Sequence, residues 1–437
     1  MDRRPDGGPP PPPGAHSTGT PRRSHRGPLH ALASIAVLLW AMPATAQDAA
    51  ATGPAIAREA RLAGDAKRTR LVVDLDRAAE FRVFTLANPY RVILDLPDVQ
   101  FALKPEDTQL SRGLVATGRF GAFAPGKARM VLEATGPVAV DKAFVLDAVD
   151  DQPARLVVDL VKTDAASFAL KAAAAGDQRA TAAPSPAPAV PATGDDRPVV
   201  VIDPGHGGLD SGTTGYSAFT EKTIVLETAL ALKDRLEKAG VARVVLTRST
   251  DTFIPLTERV KIARVNRAAL FISLHADALA RGEGQARGAS VYTLSDTASD
   301  AEAASLADSE NKADLIAGAD LSDEPDDVAG ILVDLAQRET RSFSGRVARE
   351  LVGSMKGAVR LHRTPLKSAG FRVLKAYDVP SVLVELGYLS SADDRRDLTS
   401  EAWRERVAEA MTQAIARFFA ERGAGPALAA DTRPGER

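Results

Sequence analysis

The sequence predicts an α/β domain, a mainly parallel sheet covered by helices on both faces, preceded by a small all-β domain. Three observations carry this. From residue 198 to about 421, short apolar runs alternate with longer amphipathic stretches, the order of a parallel sheet with helical crossovers. Between residues 55 and 163, runs rich in β-branched residues are separated by turns. Residues 164–197 are Ala, Pro, Ser and Thr with almost no large apolar side chain, so they cannot bury a core and read as a linker.

A chain of 437 residues suggests more than one domain. Its net charge of −2 gives no basic field for nucleic acid, and at 5% aromatic residues it lacks material for a base-stacking surface. It has no cysteine, which excludes disulfides and thiolate-bound metals and leaves His, Asp and Glu as the only strong ligands.

Taken from the N-terminus, residues 1–46 read as a secretory signal peptide. A basic flank precedes the apolar run Ala31–Met42, and "PATA" ends at Ala46 in a small-residue exit. The run is short for a bilayer span, so cleavage after Ala46 is expected, leaving no stable membrane anchor. Export is by the general route or, given Arg22 and Arg23, by the twin-Arg route. The strands Thr69–Asp76, Tyr90–Pro97, Ala128–Ala134 and Ala154–Val161 follow. Segments Pro89–Leu96 and Pro153–Leu160 share a Pro-x-Arg-apolar-apolar-apolar-Asp-Leu pattern, which suggests two related halves packed as two small sheets.

In the second domain, "PVVVIDPG" is a strand and Glu221–Gly240 an amphipathic helix stopped by its glycine. "ARVVLTR", Leu270–Asp277, Gly288–Ser295 and Ser381–Gly387 are further strands, with helices between and after them. Residues 296–340 break the rhythm: an acidic stretch, partly helical, stands where a short connection would do and reads as an insertion with a function. Residues 422–437 read as a disordered tail.

Three strands end in polar groups, at His206, His275 and Glu385, and Glu221 opens the first helix. Ligands of open α/β sheets bind beyond the carboxyl ends of the strands, so these four side chains can converge from separate segments. The set suits zinc. His206, His275 and one Glu supply three ligands, and the remaining Glu serves as base toward a bound water. Gly205, Gly207 and Gly208 allow unusual backbone angles and close approach around His206. Arg248 and Arg259 read as structural ion-pair partners in preference to substrate contacts.

The stretches "VVVIDPGHGGLDSGTTG", "TEKTIVLETALALKDRLEKAG", "LTRSTDTFIPLTERVKIARVNRAALFISLHADA" and "VPSVLVELGYLSS" resemble the zinc-dependent N-acetylmuramoyl-L-alanine amidases, the cell-wall amidases of the AmiA/AmiB/AmiC type. The resemblance covers roughly residues 198–420. It implies zinc ligation by His206, Glu221 and His275, with Glu385 as the catalytic glutamate. Segment 55–163 resembles the AMIN domain, which implies targeting to peptidoglycan. The likeness of "LADSENKADLIAGADL" to the regulatory segment of division-associated members implies a helix over the active site. Glu310, or after it Glu302, would cap the zinc until a protein activator displaces the 296–340 insertion. The implied function is hydrolysis of the bond between N-acetylmuramic acid and L-alanine, in the periplasm and at the division septum. The chain departs from the family pattern at Asp277, Tyr388 and Ser391, none of which is a matched ligand.

Overall fold

The apolar runs of the N-terminal region become two antiparallel-rich sheets. The structure, a computed structural model, describes residues 53–103, 110–124, 126–149, 151–169, 195–213, 219–278, 286–318 and 331–424. The expected signal peptide, most of the linker, part of the acidic insertion and most of the tail lie outside them. The first strands are β1 (Ala55–Gly64), β2 (Arg68–Leu75), β3 (Arg82–Leu86), β4 (Arg91–Pro97) and β5 (Val99–Phe101). They are followed by β6 (Val115–Ala124), β7 (Lys127–Ala134), β8 (Val138–Leu146) and β9 (Ala154–Lys162). One sheet runs β5-β1-β2-β9-β8 and the other β3-β4-β7-β6. Alternate residues of β2 and β9, among them Leu71, Val73, Leu156 and Val158, pack on Val92, Leu94, Met130 and Leu132 of the second sheet in one core. The two echoed segments are β4 and β9, each an interior strand of its own sheet.

The four-stranded sheet is buried on its other face as well. Ile93 and Val131 point away from the shared core and join Leu86 in a cluster with Leu209, Phe253 and Ala317 of the second region. This explains the unbroken apolar run Val92–Leu94 in β4, where a sheet buried on one face would alternate.

In the second region the elements are β10 (Val199–Pro204), α1 (Glu221–Lys238), β11 (Arg243–Leu246), α2 (Leu256–Val265), β12 (Leu270–His275) and β13 (Ala289–Leu294). Then come α3 (Ala301–Glu310), α4 (Ala313–Ile316), α5 (Ile331–Met355), β14 (Leu361–Ala369), β15 (Ser381–Glu385), α6 (Ala392–Leu398) and α7 (Glu401–Ala424). The sheet order is β11-β10-β12-β15-β13-β14, parallel throughout except where β13 meets β15. One face packs on α1, α5 and α7 through Leu232, Leu351 and Met411; the other packs on α2 and α3 through Ile262 and Leu306. Every residue of β10, β12 and β15 is buried, as strands covered on both faces require.

The sequence pattern missed β14. Its residues, "LHRTPLKSA", mix polar and apolar types and include Pro365, which a sheet tolerates at an edge, and β14 is one of the sheet's two edge strands. Among the described residues no helix is long and apolar enough to cross a membrane.

Candidate metal centre

The site is built where β10, β12 and β15 end side by side. His275 is the last residue of β12, and its Cα pairs in register with Glu385, the last residue of β15. His206 follows β10 in a loop that turns sharply, with φ of 59° at His206 itself and positive φ at the two glycines after it. A non-glycine residue in the left-handed region is uncommon and is held here by its surroundings. The glycine before it serves close approach: a Cβ on Gly205 would lie 2.4 Å from His275 Cε1. Glu221 enters at the start of α1, where it is fully buried.

Two buried guanidinium groups fix the loop. Arg248 donates to the carbonyls of Pro204 (2.9 Å), Gly205 (2.7 Å) and Lys222 (2.8 Å). Burial, followed by repulsion from Arg259, lowers its pKa to about 10. Arg259 donates to Asp203 Oδ1 (2.8 Å) and to the carbonyls of Pro204 and His206. Both arginines therefore brace the backbone that presents His206.

Two of the candidate ligands, His206 and Glu221, are oriented by partners. His206 Nδ1 is 2.9 Å from Asp210 Oδ2, which leaves Nε2 directed at the site. Glu221 Oε1 accepts from the Ala276 N–H and Oε2 from the Thr213 N–H, each at 2.8 Å. Its Oε1 lies 3.1 Å from His206 Nε2 and 3.4 Å from His275 Nδ1. One ligand atom from each of His206, Glu221 and His275 falls within 4.8 Å of the others. Burial disfavours charge on His206, yet Glu221, Asp210 and Glu310 outweigh it and hold its pKa well above the ordinary imidazole value.

Glu385 Oε2 is buried and makes no hydrogen bond, and the buried His206 Nε2 and His275 Nδ1 make none of good geometry, facing only the carboxylate oxygens of Glu221 and Glu310. Such groups are costly to leave unpaired. A divalent cation is the partner this donor set fits: two imidazole nitrogens and a carboxylate are the ligand types of an open zinc site. Glu385 Oε1 accepts from the Asp277 N–H at 2.6 Å. Its pKa lies well above the ordinary carboxylate range, pushed there by burial and then by Glu221 and Asp277.

The two acidic candidates of the insertion go to different places. Glu310, at the end of α3, puts Oε2 3.1 Å from His275 Nδ1 and 3.7 Å from His206 Nε2. Glu302 is not brought to the histidines: it accepts from Lys367 Nζ at 2.6 Å and from the Tyr388 hydroxyl at 3.0 Å, which anchors the start of α3. With α3 in place, the space between the histidines, Glu310 and Phe371 is about 10 Å³, roughly one water molecule.

Sequence reasoning did not find Asp210, Asp203 or the place of Asp277. Asp277 accepts from the Thr213 hydroxyl, and its pKa rises to about 7 through burial and the nearby Glu221 and Glu310. The other two departures from the family pattern hold structure: Tyr388 anchors Glu302, and the Ser391 hydroxyl caps α6 by accepting from the Asp394 N–H.

Fold and site together define an α/β protein with a candidate metal centre at its strand ends. A family model described as N-acetylmuramoyl-L-alanine amidase matches residues 200–417, and one described as AMIN domain matches residues 59–160. The chain is 34% identical to N-acetylmuramoyl-L-alanine amidase AmiC of Escherichia coli, over 81% of this chain and 87% of that protein. It is 31% identical to AmiC of Neisseria meningitidis, over 80% and 87%. Among solved structures, the catalytic domain of CwlV, an amidase from Bacillus (Paenibacillus) polymyxa, is 28% identical, covering 51% of this chain and 98% of that one with a TM-score of 0.36. The chain belongs to the N-acetylmuramoyl-L-alanine amidase family.

Proposed function

We propose that this protein hydrolyses the amide joining N-acetylmuramic acid to the L-alanine of peptidoglycan stem peptides, with zinc held by His206, Glu221 and His275. Its family membership supports the reaction class. The observation that carries the site is the convergence of buried His206, Glu221 and His275 within ligand distance of one another, beside a buried Glu385 Oε2 that makes no hydrogen bond. A bound zinc ion supplies a Lewis acid and an acidified water. Glu385 accepts a proton at Oε2 and returns it to the departing alanine nitrogen; burial, with Glu221 and Asp277, raises its pKa, which favours holding the proton between the two transfers. The Asp277 N–H holds the other oxygen and so sets the direction of the free one.

The closed form is latent. Glu310 stands against both histidines, and the remaining space admits no muramyl peptide. Activation then requires a protein partner that lifts the 296–340 insertion. Residues 1–46 direct export to the periplasm, the β-domain spanning 55–163 targets the wall at the septum, 164–197 link it to the catalytic domain of 198–421, and 422–437 form a tail.

The test is product analysis on purified sacculi with residues 47–437 and zinc, comparing the unaltered chain with Glu310→Ala and Glu385→Ala. Stem peptides with a free N-terminal alanine, released faster by Glu310→Ala and abolished by Glu385→Ala, establish the reading. Cleaved cross-links or released acetate point instead to a peptidase or a deacetylase, and binding without release to a wall-binding protein.

A further inference from the structure

The outer face of the sheet β3-β4-β7-β6 is occupied by the segment that carries Glu310 over the metal site. Three kinds of contact make the seat. Arg91, on β4 and buried, donates from Nη1 to the Leu315 carbonyl at 2.5 Å. Arg129, on β7 and buried, donates from Nη1 to the Ala317 and Gly318 carbonyls at 3.2 and 3.3 Å. These carbonyls end α4, where helices present unsatisfied acceptors and partial negative charge, so the two cations meet them at the favourable end. Arg129 is itself held by a two-point pair with Asp95 (2.5 and 2.9 Å) and lies 3.5 Å over the Phe123 ring. Between the arginines, Ala317 is wholly buried against Ile93 and Val131. Gly318, at φ of 69°, approaches so closely that a Cβ there would sit 2.5 Å from Ile93 Cδ1.

The same face reaches the metal loop. Leu209, three residues beyond His206, lies in the cluster with Ile93 and Ala317. A Cβ on Gly121 of β6 would meet the Leu209 nitrogen at 2.4 Å, and the Phe253 N–H donates to the Ala122 carbonyl at 3.1 Å. The β-domain thus touches both the loop that presents His206 and the segment that covers it.

We propose that this sheet is the seat of the lid: through Arg91, Arg129 and the Ile93 pocket, the β-domain clamps α4 and so keeps Glu310 on the histidines. The inference rests on the reading of Glu310 as a cap and deepens it. A helix of one turn, α4 does not hold itself and depends on what it packs against. Asp314 caps α2 by accepting from the Leu256 N–H at 2.9 Å, and Asn311 bonds Gly370 and Arg372, so the catalytic domain grips the segment before its end and the β-domain grips the end. In this arrangement the β-domain acts as a brake on the amidase in addition to any targeting role. Any event that draws it off α4 loosens the cap from the outside.

The test uses residues 47–437 with Arg91→Ala on the sheet, Gly318→Val on the lid, Arg91→Lys as the conservative variant and Glu310→Ala as reference. Amide hydrogen exchange of residues 301–318 reports docking; release from sacculi reports opening; exchange of β2 and β9 reports the integrity of the β-domain. Arg91→Ala and Gly318→Val should each speed exchange of 301–318 by about tenfold or more, as loss of a charged hydrogen bond or a packed contact implies, and raise release several-fold. The cores of β2 and β9 should stay protected, and Arg91→Lys should recover part of the protection. Unchanged exchange of 301–318 in both variants overturns the clamp. Faster exchange without added release, while Glu310→Ala does add release, overturns the clamp as a brake. If Glu310→Ala adds none, the cap reading itself fails, and the exchange data still decide separately whether the sheet holds the segment.

Discussion

Asp203 on β10 and Glu385 on β15 flank the same strand, and both carboxyls are fully buried, yet they are pushed in opposite directions. Burial raises the pKa of each. At Asp203 it is outweighed by Arg259, the Thr247 hydroxyl and the Ser273 hydroxyl, so the pKa falls below its ordinary value. At Glu385 burial is reinforced by Glu221 and Asp277, and the pKa goes up. The first carboxylate has its hydrogen bonds made; the second keeps Oε2 without one. Two strands apart, the same chemical group is a brace at Asp203 and, in the proposed function, a base at Glu385, and the set of neighbouring donors decides which.

The sharpest break between the two is functional. Glu385→Ala should lower kcat for release from sacculi by about a hundredfold to ten-thousandfold, the usual scale for a proton-transferring group. The fold should survive, since the substitution removes a buried carboxyl with one unpaired oxygen. A preserved melting temperature beside lost turnover is the expected pair of results; lost turnover with early melting would make Glu385 another brace.

Asp203→Asn should do the reverse. It leaves the Arg259 cation buried without its counter-charge, which costs about 3–5 kcal/mol. In a domain of this size that lowers the melting temperature by roughly 10 °C, read by thermal unfolding with zinc present. Activity at low temperature should persist at a reduced level, because Arg259 also holds the His206 carbonyl.

Asp210 lies between these extremes, a carboxylate that braces a ligand. Asp210→Ala frees His206 Nδ1 and lets the ring rotate or change tautomer, so zinc affinity should fall by about tenfold to a hundredfold, measured by competition with a chelator. Removing zinc from the unaltered chain should lower its melting temperature, and restoring the metal should recover it. Asp210→Ala should need more zinc to do the same.

The four candidate site residues were legible because each interrupts a pattern: His275 and Glu385 end apolar strands, His206 follows one, and Glu221 opens an amphipathic helix. The α/β order was legible for the same reason, through periodicity. Asp210 was not, since a carboxylate in a glycine-rich loop interrupts nothing. Glu310 and Glu302 could not be separated by composition; the structure gives one to the histidines and the other to Lys367 and Tyr388. The seat of the lid was the least legible. Arg91 and Arg129 bind backbone carbonyls more than 180 residues away, and a carbonyl carries no mark of sequence. The one trace was β4, whose unbroken apolar run signals burial on both faces without saying what covers the second.

The smallest change that still divides the two carboxylates is Ser273→Ala. Its hydroxyl donates to Asp203 Oδ2 at 2.7 Å, while Oδ1 keeps Thr247 and Arg259. The loss should cost about 1–2 kcal/mol at neutral pH, since a buried charged acceptor forfeits one donor. The sign of its pH dependence follows from the direction of the Asp203 shift. A carboxyl with a lowered folded pKa contributes stability above its ordinary value of 3.8, and that contribution fades as pH falls through the folded value. Ser273→Ala moves the folded pKa back toward ordinary, so its deficit against the unaltered chain should be full at neutral pH and shrink in acid. Urea unfolding at the two pH values checks this. A deficit that stayed constant into acid would locate the effect in the packing of β12 and not in the hydrogen bond to Asp203.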